Sequence, residues 1–483
     1  MKMNYNNVIS ELKKYNLIEE YKDYDIDFKS LEYNSKEVEK DTLFVCKGVA
    51  FKREYLEDAI KNGTTCYISE EDYGVEIPCI VVNDNRKALA IVSRLFYPDN
   101  LFKIGITGTK GKTTTNYFVH NILREYLGYK PGIFATHYFY TGKHSGETHL
   151  TTPESLELHR YLNEMQSMNI KYMSMEVSSQ AEYHQRTYGM DFNIGAFLNI
   201  SEDHISPLEH KNFDEYLSCK IKFLKKCETI VIFKHTDYYD RIINEIKDKK
   251  IITFGYTNDC DYVIKNVKNN DNLSFEVYHE GKSHVYEIGM AGRFNIINAT
   301  CAIVISDLLN IDYKSVLDGL LKTEIKGRMN VIEGVCPIII DYAHNKLSAK
   351  ALYESLKEDY KGKKIKVLFG CPGDKGINRR KDMGLLAGIY ADYVYLTAED
   401  PGTSTAREIA LDIAKYIEKY HKNYEIIEDR GSAIKKAMSD LTKDDVLVLL
   451  GKGDENYQII GNEWVPYETD EVIVRKNLSM VKE

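Results

Sequence analysis

Short apolar runs separated by polar turns organise the first hundred residues. Asp41–Cys46, Cys66–Ser69 and Ile80–Val82 read as strands. Between them, Arg53–Asn62 has helical spacing and ends at Gly63, a residue suited to a left-handed cap. Arg86–Tyr97 reads as a second helix, stopped by Pro98. Near Asn100 the pattern changes. Phe102–Thr107 is a buried strand, followed by a Gly/Thr-rich loop and a helix from Thr113 to Tyr126. Tyr172–Val177, Ile194–Asn199 and Thr229–Phe233 continue as strands, alternating with helical stretches that include Ser155–Met165 and Phe213–Lys226. The last third repeats the theme. Its strands are Cys336–Asp341, Lys366–Phe369, Tyr393–Leu396 and Val446–Leu450, and its helices Leu347–Lys357, Ala406–Tyr420 and Ala433–Leu441.

Strand–helix alternation of this kind predicts an α/β fold with parallel, doubly wound sheets. Boundaries fall near 100 and 326, dividing the chain into 1–100, 101–326 and 327–483. The length of 483 residues agrees, at roughly 150 residues per domain.

Composition narrows the function. A formal charge of −9 makes general binding of nucleic acid or of anionic membranes unfavourable. No apolar run approaches the roughly 20 residues of a membrane span, and the start MKMNYNNVIS lacks a signal-peptide core. The nine cysteines are scattered without a CxxC pair. A reducing cytoplasm is therefore expected, with neither structural zinc nor a disulfide framework.

The sharpest local signal is Gly105-Ile-Thr-Gly108-Thr109-Lys110-Gly111-Lys112-Thr113-Thr114. It follows a strand and opens a helix, the context in which a phosphate loop is credible. Glycines let backbone N–H groups turn inward around phosphate oxygens, and the helix N-terminus adds partial positive charge. Lys112 supplies a full charge, and Thr113 a hydroxyl for Mg²⁺. Ile106 stands where the longer G-x-x-x-x-G-K-[ST] template has Gly, leaving G-x-x-G-K-T. The loop indicates ATP or GTP phosphate without naming the reaction.

Other polar clusters fall at strand ends, where open α/β sheets bind ligands. Leu150-Thr151-Thr152-Pro-Glu154 precedes a helix, Glu176-Val-Ser178-Ser ends one strand, and Asp203-His204 follows another. Glu176 and His204 suit a hard divalent cation beside phosphates. Lys220 lies on the helical stretch Phe213–Lys226, where a lone lysine is ordinarily solvated. Residue type alone does not distinguish it from Lys222, Lys225 or Lys226.

Taken together, these residues resemble the Mur ligases, most closely the MurE type, the UDP-N-acetylmuramoyl-tripeptide synthetases. Besides the segments above, the resemblance is carried by Gly292-Arg-Phe-Asn295-Ile-Ile-Asn298, Gly327-Arg328, Asp341-Tyr-Ala-His344, Asp429-Arg430 and Gly451-Lys-Gly453-Asp454-Glu455. They stand in the family's order along essentially the whole chain. The resemblance implies a three-domain architecture: a UDP-substrate-binding domain, a central parallel-sheet P-loop ATPase domain and a C-terminal Rossmann-like domain that binds an amino acid.

The implied reaction is ATP-dependent. A peptide carboxylate of UDP-MurNAc-L-Ala-D-Glu is phosphorylated, and a free amino acid attacks the acyl phosphate. This is a step of peptidoglycan precursor synthesis, hence of cell-wall biogenesis, cell shape and division. ATP and Mg²⁺ are the implied cofactors, and a cytoplasmic monomer is the implied state. Gly108–Thr114, Asn295, Asn298, Arg328, Asp341 and His344 match ATP contacts, the last three implying closure over the nucleotide. Thr113, Glu176 and His204 match metal positions. Lys220 matches the family's carbamylated lysine, an anion able to hold a second Mg²⁺. Ser35, Thr151, Thr152, Ser178, His184 and Arg186 match positions on the UDP-muramoyl peptide. Asp400, Gly402, Gly451, Asp454 and Glu455 match the amino-acid site.

Departures concentrate at the two substrates. Gln180 and His184 each replace the residue usual for the type, and Gly370-Cys-Pro-Gly-Asp374-Lys-Gly has Pro and Gly where Gly and Asp are common. Enzymes that add meso-diaminopimelate carry D-N-P-R where this chain has Glu399-Asp400-Pro401-Gly402. Gly402 cannot grip a second carboxylate as that arginine does; Arg407, five residues on, is the arginine that could reach back in its place. Asp454 reads either as an added carboxylate that favours a cationic amino acid such as lysine or ornithine, or as a solvated loop residue, so the amino acid stays open. The sequence leaves two alternatives: a paralogue that joins an amino acid to another carboxylate, and a non-catalytic nucleotide-binding regulator.

Overall fold

Parallel strands need long crossovers, and the alternation along this chain supplies them with helices. The structure, a computed structural model, describes residues 3–48, 51–136, 138–148, 150–202, 205, 209–269 and 272–480. His204 and Asp203 lie outside these. Among the described residues no helix is long and apolar enough to cross a membrane. The chain divides into two compact units. One comprises 1–200, 209–253 and 305–311, the other 201–208, 254–304 and 312–483.

Among the described residues the first unit holds a two-stranded pairing of Met3–Asn4 with Asp27–Phe28 and strands of two larger sheets. The smaller runs Ile18–Glu20, Cys79–Val82, Thr64–Ser69, Thr42–Val45, Ser30–Glu32, parallel except at its first pair. Helices Tyr5–Lys14, Arg53–Asn62 and Asn85–Phe96 accompany it. Gly63 caps the second of them at φ +116°, the backbone conformation its position suggested. The larger sheet places Phe102–Thr107 between Tyr172–Glu176 and Phe192–Phe197, all parallel, with Gly132–Ala135 and Cys227–Phe233 next outward. Tyr138–Tyr140 and Ser145–Gly146 extend one edge antiparallel.

Two glycines decide how closely a helix approaches this sheet. Gly105 and Gly195 pair across neighbouring strands. A Cβ on Gly105 would meet the Phe223 ring at 2.6 Å, and one on Gly195 would crowd the same ring and Cys227. Their absence lets helix Phe213–Lys225 settle onto the sheet through buried Phe223. One turn back, the same face carries Lys220 to the strand ends.

The second unit contains an antiparallel trio, Tyr262–Asn269, Leu273–His279 and Lys282–Ile288, which the sequence reading did not anticipate. Its other sheet runs Asn330–Ile332, Ile338–Asp341, Asp445–Leu450, Lys364–Phe369, Tyr393–Leu396, Tyr424–Ile426. Only the first pair is antiparallel. Val446–Leu450 are wholly buried, as a central parallel strand covered on both faces requires. A short hairpin, Tyr457–Ile460 with Glu463–Pro466, and helix Asp470–Met480 follow.

Candidate active site

Strand Phe102–Thr107 delivers the glycine loop directly into helix Lys112–Leu127. Gly111 sits at φ +84°, a left-handed turn that only glycine adopts without strain, and so starts the helix at Lys112. Asn199 frames the loop from the neighbouring strand end. Its Oδ1 accepts from the Lys110 N–H at 2.8 Å, its Nδ2 donates to the Lys110 carbonyl at 3.1 Å, and its own carbonyl accepts from Thr109 N–H at 3.0 Å.

Glu176 ends the adjacent strand, fully buried. Its carboxylate accepts from Thr113 Oγ1 at 3.1 Å, Thr136 Oγ1 at 3.0 Å and Thr136 N–H at 2.8 Å. One carboxylate and two hydroxyls thus converge beside the loop. Among the described residues no group of three or more His, Cys, Asp or Glu side chains gathers to hold a metal. The all-oxygen set fits a hard cation such as Mg²⁺, which takes few protein ligands and completes its shell with phosphate and water.

The expectation that Lys220 is solvated does not hold. It is 2% exposed, its Nζ donates to the Gly108 carbonyl at 2.8 Å, and it lies over the Tyr216 ring at 4.8 Å. Lys222 and Lys225 are exposed. Helical spacing accounts for the difference. Tyr216, Lys220 and Leu224 recur every four residues on the buried stripe, whereas Lys222 and Lys225 face away. Lys112 Nζ donates to the same Gly108 carbonyl at 2.9 Å and to that of Thr109 at 3.1 Å. Two ammonium groups therefore bracket one loop carbonyl.

The expected substrate positions form a chain of contacts. Thr152 Oγ1 donates to the Glu176 carbonyl at 2.9 Å and accepts from the Ser178 N–H at 3.2 Å. Ser178 caps the short helix Ser179–Tyr183. Arg186 Nε donates to Glu154 at 2.8 Å, and Lys47 pairs with the same carboxylate. Burial would raise the Glu154 acid, but Arg186 and Lys47 outweigh it and hold it below the usual value. His184, half-buried near Arg86 and Arg186, is pushed down to about 4, chiefly by burial, and is neutral at physiological pH. Thr151 is half-buried, as is Ser35, whose carbonyl accepts from Asn62 Nδ2 at 2.9 Å. Lys47 and Thr136 are not among the residues the sequence singles out, and Glu154 enters there only as the end of the Leu150–Glu154 cluster. Glu154 carried a signal, standing beside Thr152 at the start of a helix.

In the second unit, Asn295 and Asn298 open helix Asn295–Leu308, with Asn298 Nδ2 donating to Asn295 Oδ1 at 3.0 Å. Asp341 accepts from the N–H groups of Met329 and Ala343 at 2.9 and 2.8 Å. Arg328 lies over the Tyr342 ring, and His344 Nδ1 stands 2.7 Å from the Tyr342 carbonyl.

The loops after two strands carry a further constellation. Lys452, wholly buried, pairs with Asp400 at 2.9 Å and Glu455 at 2.6 Å. Tyr342 OH donates to Glu455 at 2.8 Å. Glu399 beside them is pushed up to about 8, first by burial and then by Asp400, against the pull of Arg430 and Lys452. Glu399 and Lys452 were not among the expected site residues. Asp454 is half-buried. Gly402 adopts φ +57°, and a Cβ there would fall inside the Asp374 carboxylate. That carboxylate also accepts from the Thr403 N–H and hydroxyl. Arg407 does not reach back to this loop; it lies exposed, 3.9 Å from Glu428.

A glycine loop on a parallel sheet, backed by a buried carboxylate and a buried lysine, defines an α/β phosphate-loop enzyme. The chain belongs to the Mur ligase family and is a ligase. The Mur ligase middle domain matches residues 106–306, and the Mur ligase, glutamate ligase domain, matches 327–453. UDP-N-acetylmuramoyl-L-alanyl-D-glutamate–L-lysine ligase of Streptococcus thermophilus is 35% identical, covering 94% of this chain and 93% of its own. The enzyme of the same name from Streptococcus pyogenes serotype M28 is 36% identical, over 93% of each. Among solved structures, a UDP-N-acetylmuramoyl-L-alanyl-D-glutamate–2,6-diaminopimelate ligase superposes with TM-score 0.71 at 24% identity, covering 100% of both chains. MurF ligase from Thermotoga maritima in complex with ADP gives 0.61 at 19% identity, over 87% of this chain and 93% of that one.

Proposed function

We propose that this Mur ligase uses ATP to join an amino acid, L-lysine, to the peptide carboxylate of UDP-MurNAc-L-Ala-D-Glu, a cytoplasmic step of peptidoglycan precursor synthesis carried out by a monomer. The observation that carries the reading is the loop Gly108–Thr113, with Lys112, Glu176 and buried Lys220 gathered on it. Kinship over nearly the whole chain with relatives named as L-lysine ligases supports this choice of substrates.

In this reading the loop N–H groups and Lys112 hold the β- and γ-phosphates and stabilise charge as the γ-phosphoryl group passes to the carboxylate. Thr113 and Glu176, with His204, would hold Mg²⁺, which when bound would supply positive charge against the repulsion between triphosphate and carboxylate. Lys220 acts as a carbamate. Two ammonium groups on one carbonyl repel each other, and carbamylation converts one of them to an anion that complements Lys112. Asn295, Asn298, Arg328, Asp341 and His344 contact the nucleotide. Ser35, Thr151, Thr152, Ser178, His184 and Arg186 contact the UDP-substrate. The loops of Asp400–Gly402 and Gly451–Glu455 receive the amino acid.

The test is phosphate release from ATP with UDP-MurNAc-L-Ala-D-Glu and lysine, ornithine or meso-diaminopimelate. Turnover is expected with lysine. Turnover only with a different acid makes the chain a paralogue of another specificity. ATP binding without ligation under any pairing makes it a regulator. Either result overturns the proposal.

A further inference from the structure

The segment that leads from the C-terminal hairpin into the first turn of the last helix, Tyr467–Asp470, lies beyond residue 453, where the family match ends. Two of its residues are tied to a buried guanidinium of the second unit. Arg430 is wholly buried, as is Asp470. Arg430 Nε and Nη2 donate to the two Asp470 oxygens at 2.8 and 2.6 Å, a bidentate fork. Two further bonds go to carbonyls at the end of strand Asp445–Leu450 and two residues past strand Tyr393–Leu396. Nη2 donates to the Leu450 carbonyl at 2.9 Å and Nη1 to that of Ala398 at 3.4 Å. Tyr467 OH donates to Asp470 at 2.7 Å, and Tyr467 N–H to the Asn456 carbonyl at 2.8 Å.

Those two carbonyls are the last backbone acceptors before the loops Glu399–Gly402 and Gly451–Glu455. The loops touch. A Cβ on Gly451 would overlap the Glu399 carboxylate, and Lys452 reaches across to Asp400. Their spacing therefore depends on what holds their stems. Only arginine presents a rigid planar fork that satisfies one carboxylate and two separate carbonyls at once.

We infer that Arg430, oriented by Asp470 and Tyr467, is a positioning residue that sets the distance between the two loops and so the fit of the incoming amino acid. The inference rests on the proposed reading of those loops as the amino-acid site. It gives the C-terminal segment a role in substrate recognition in addition to packing.

The test uses the full-length enzyme with Tyr467→Phe, Asp470→Asn and Arg430→Lys. Tyr467→Phe deletes one hydroxyl and keeps the test open if the charge variants do not fold. Its amino-acid KM is expected to rise about 3- to 10-fold, the size of one buried hydrogen bond, with kcat and the KM for ATP and the UDP-dipeptide within about twofold. Asp470→Asn is expected to do more, and Arg430→Lys not to restore the wild-type value. Amide hydrogen exchange should quicken at 398–402 and 450–455 and stay unchanged in strand Lys364–Phe369. Unchanged exchange in both loops, or a parallel rise of all three KM values, overturns the inference. Exchange is read without turnover, so a wild-type enzyme inactive on lysine would sink the proposed function and still leave this test standing.

Discussion

Replacing Glu399 by glutamine should remove a pH dependence of stability that one carboxyl imposes on the second unit. The group titrates at about 8 in the folded chain against an ordinary value of 4.5, chiefly because burial disfavours its charged form. A raised folded pKa means that the native state keeps a proton that the unfolded chain releases. The contribution is fully present below 4.5 and is lost as pH rises through 8. Between about pH 6.5 and about pH 9 the loss comes to about 2 kcal/mol. For a unit of this size that is roughly 4–8 °C in Tm. Thermal unfolding of wild type and Glu399→Gln at the two pH values measures it. The wild-type fall should exceed that of the variant by this amount, because histidines and other groups titrate equally in both. Equal slopes would refute the reasoning, showing either that Glu399 is hydrated in solution or that Lys452 and Arg430 keep it ionised.

Three further outcomes are expected. Lys220→Ala should lower ligation by about 10²-fold or more, the scale of losing a group that stabilises transition-state charge; added short carboxylic acids should restore part of it, and undiminished phosphate release would dismiss the carbamate. Gly105→Ala should cost about 1–3 kcal/mol by driving a methyl into Phe223, read as a lower Tm without loss of secondary structure by circular dichroism. Gly402→Arg alone should not yield turnover with meso-diaminopimelate, because the Asp374 carboxylate occupies the first atom of the new side chain. Only Gly402→Arg combined with Asp374→Ala should give measurable use of that amino acid in the phosphate-release assay.

The elements that sequence reading located well are those with strong local signals. Arg53–Asn62 and Phe102–Thr107 match to the residue, and the helix read as Thr113–Tyr126 runs from Lys112 to Leu127. Helix Tyr5–Lys14 carried the same information, with Tyr5, Val8, Ile9 and Leu12 at helical spacing and all buried, and it was passed over. Lys220 is the instructive case. Its place between Tyr216 and Leu224 on an apolar stripe was legible, but a lysine on a helix is so often solvated that composition outweighed periodicity.

Local patterning settled the α/β class, the phosphate loop and the order of its motifs, because helical and strand periods and the left-handed turn at Gly111 are properties of a few neighbouring residues. Which polar groups meet was beyond its reach. Thr113 and Glu176 are separated by 63 positions, Arg430 and Asp470 by 40, and Asp374 reaches the Gly402 turn from 28 residues away. Those meetings depend on strand register and on how closely each helix can approach its sheet, down to a missing methyl at Gly105. Distances of that kind exist only once the whole chain has packed.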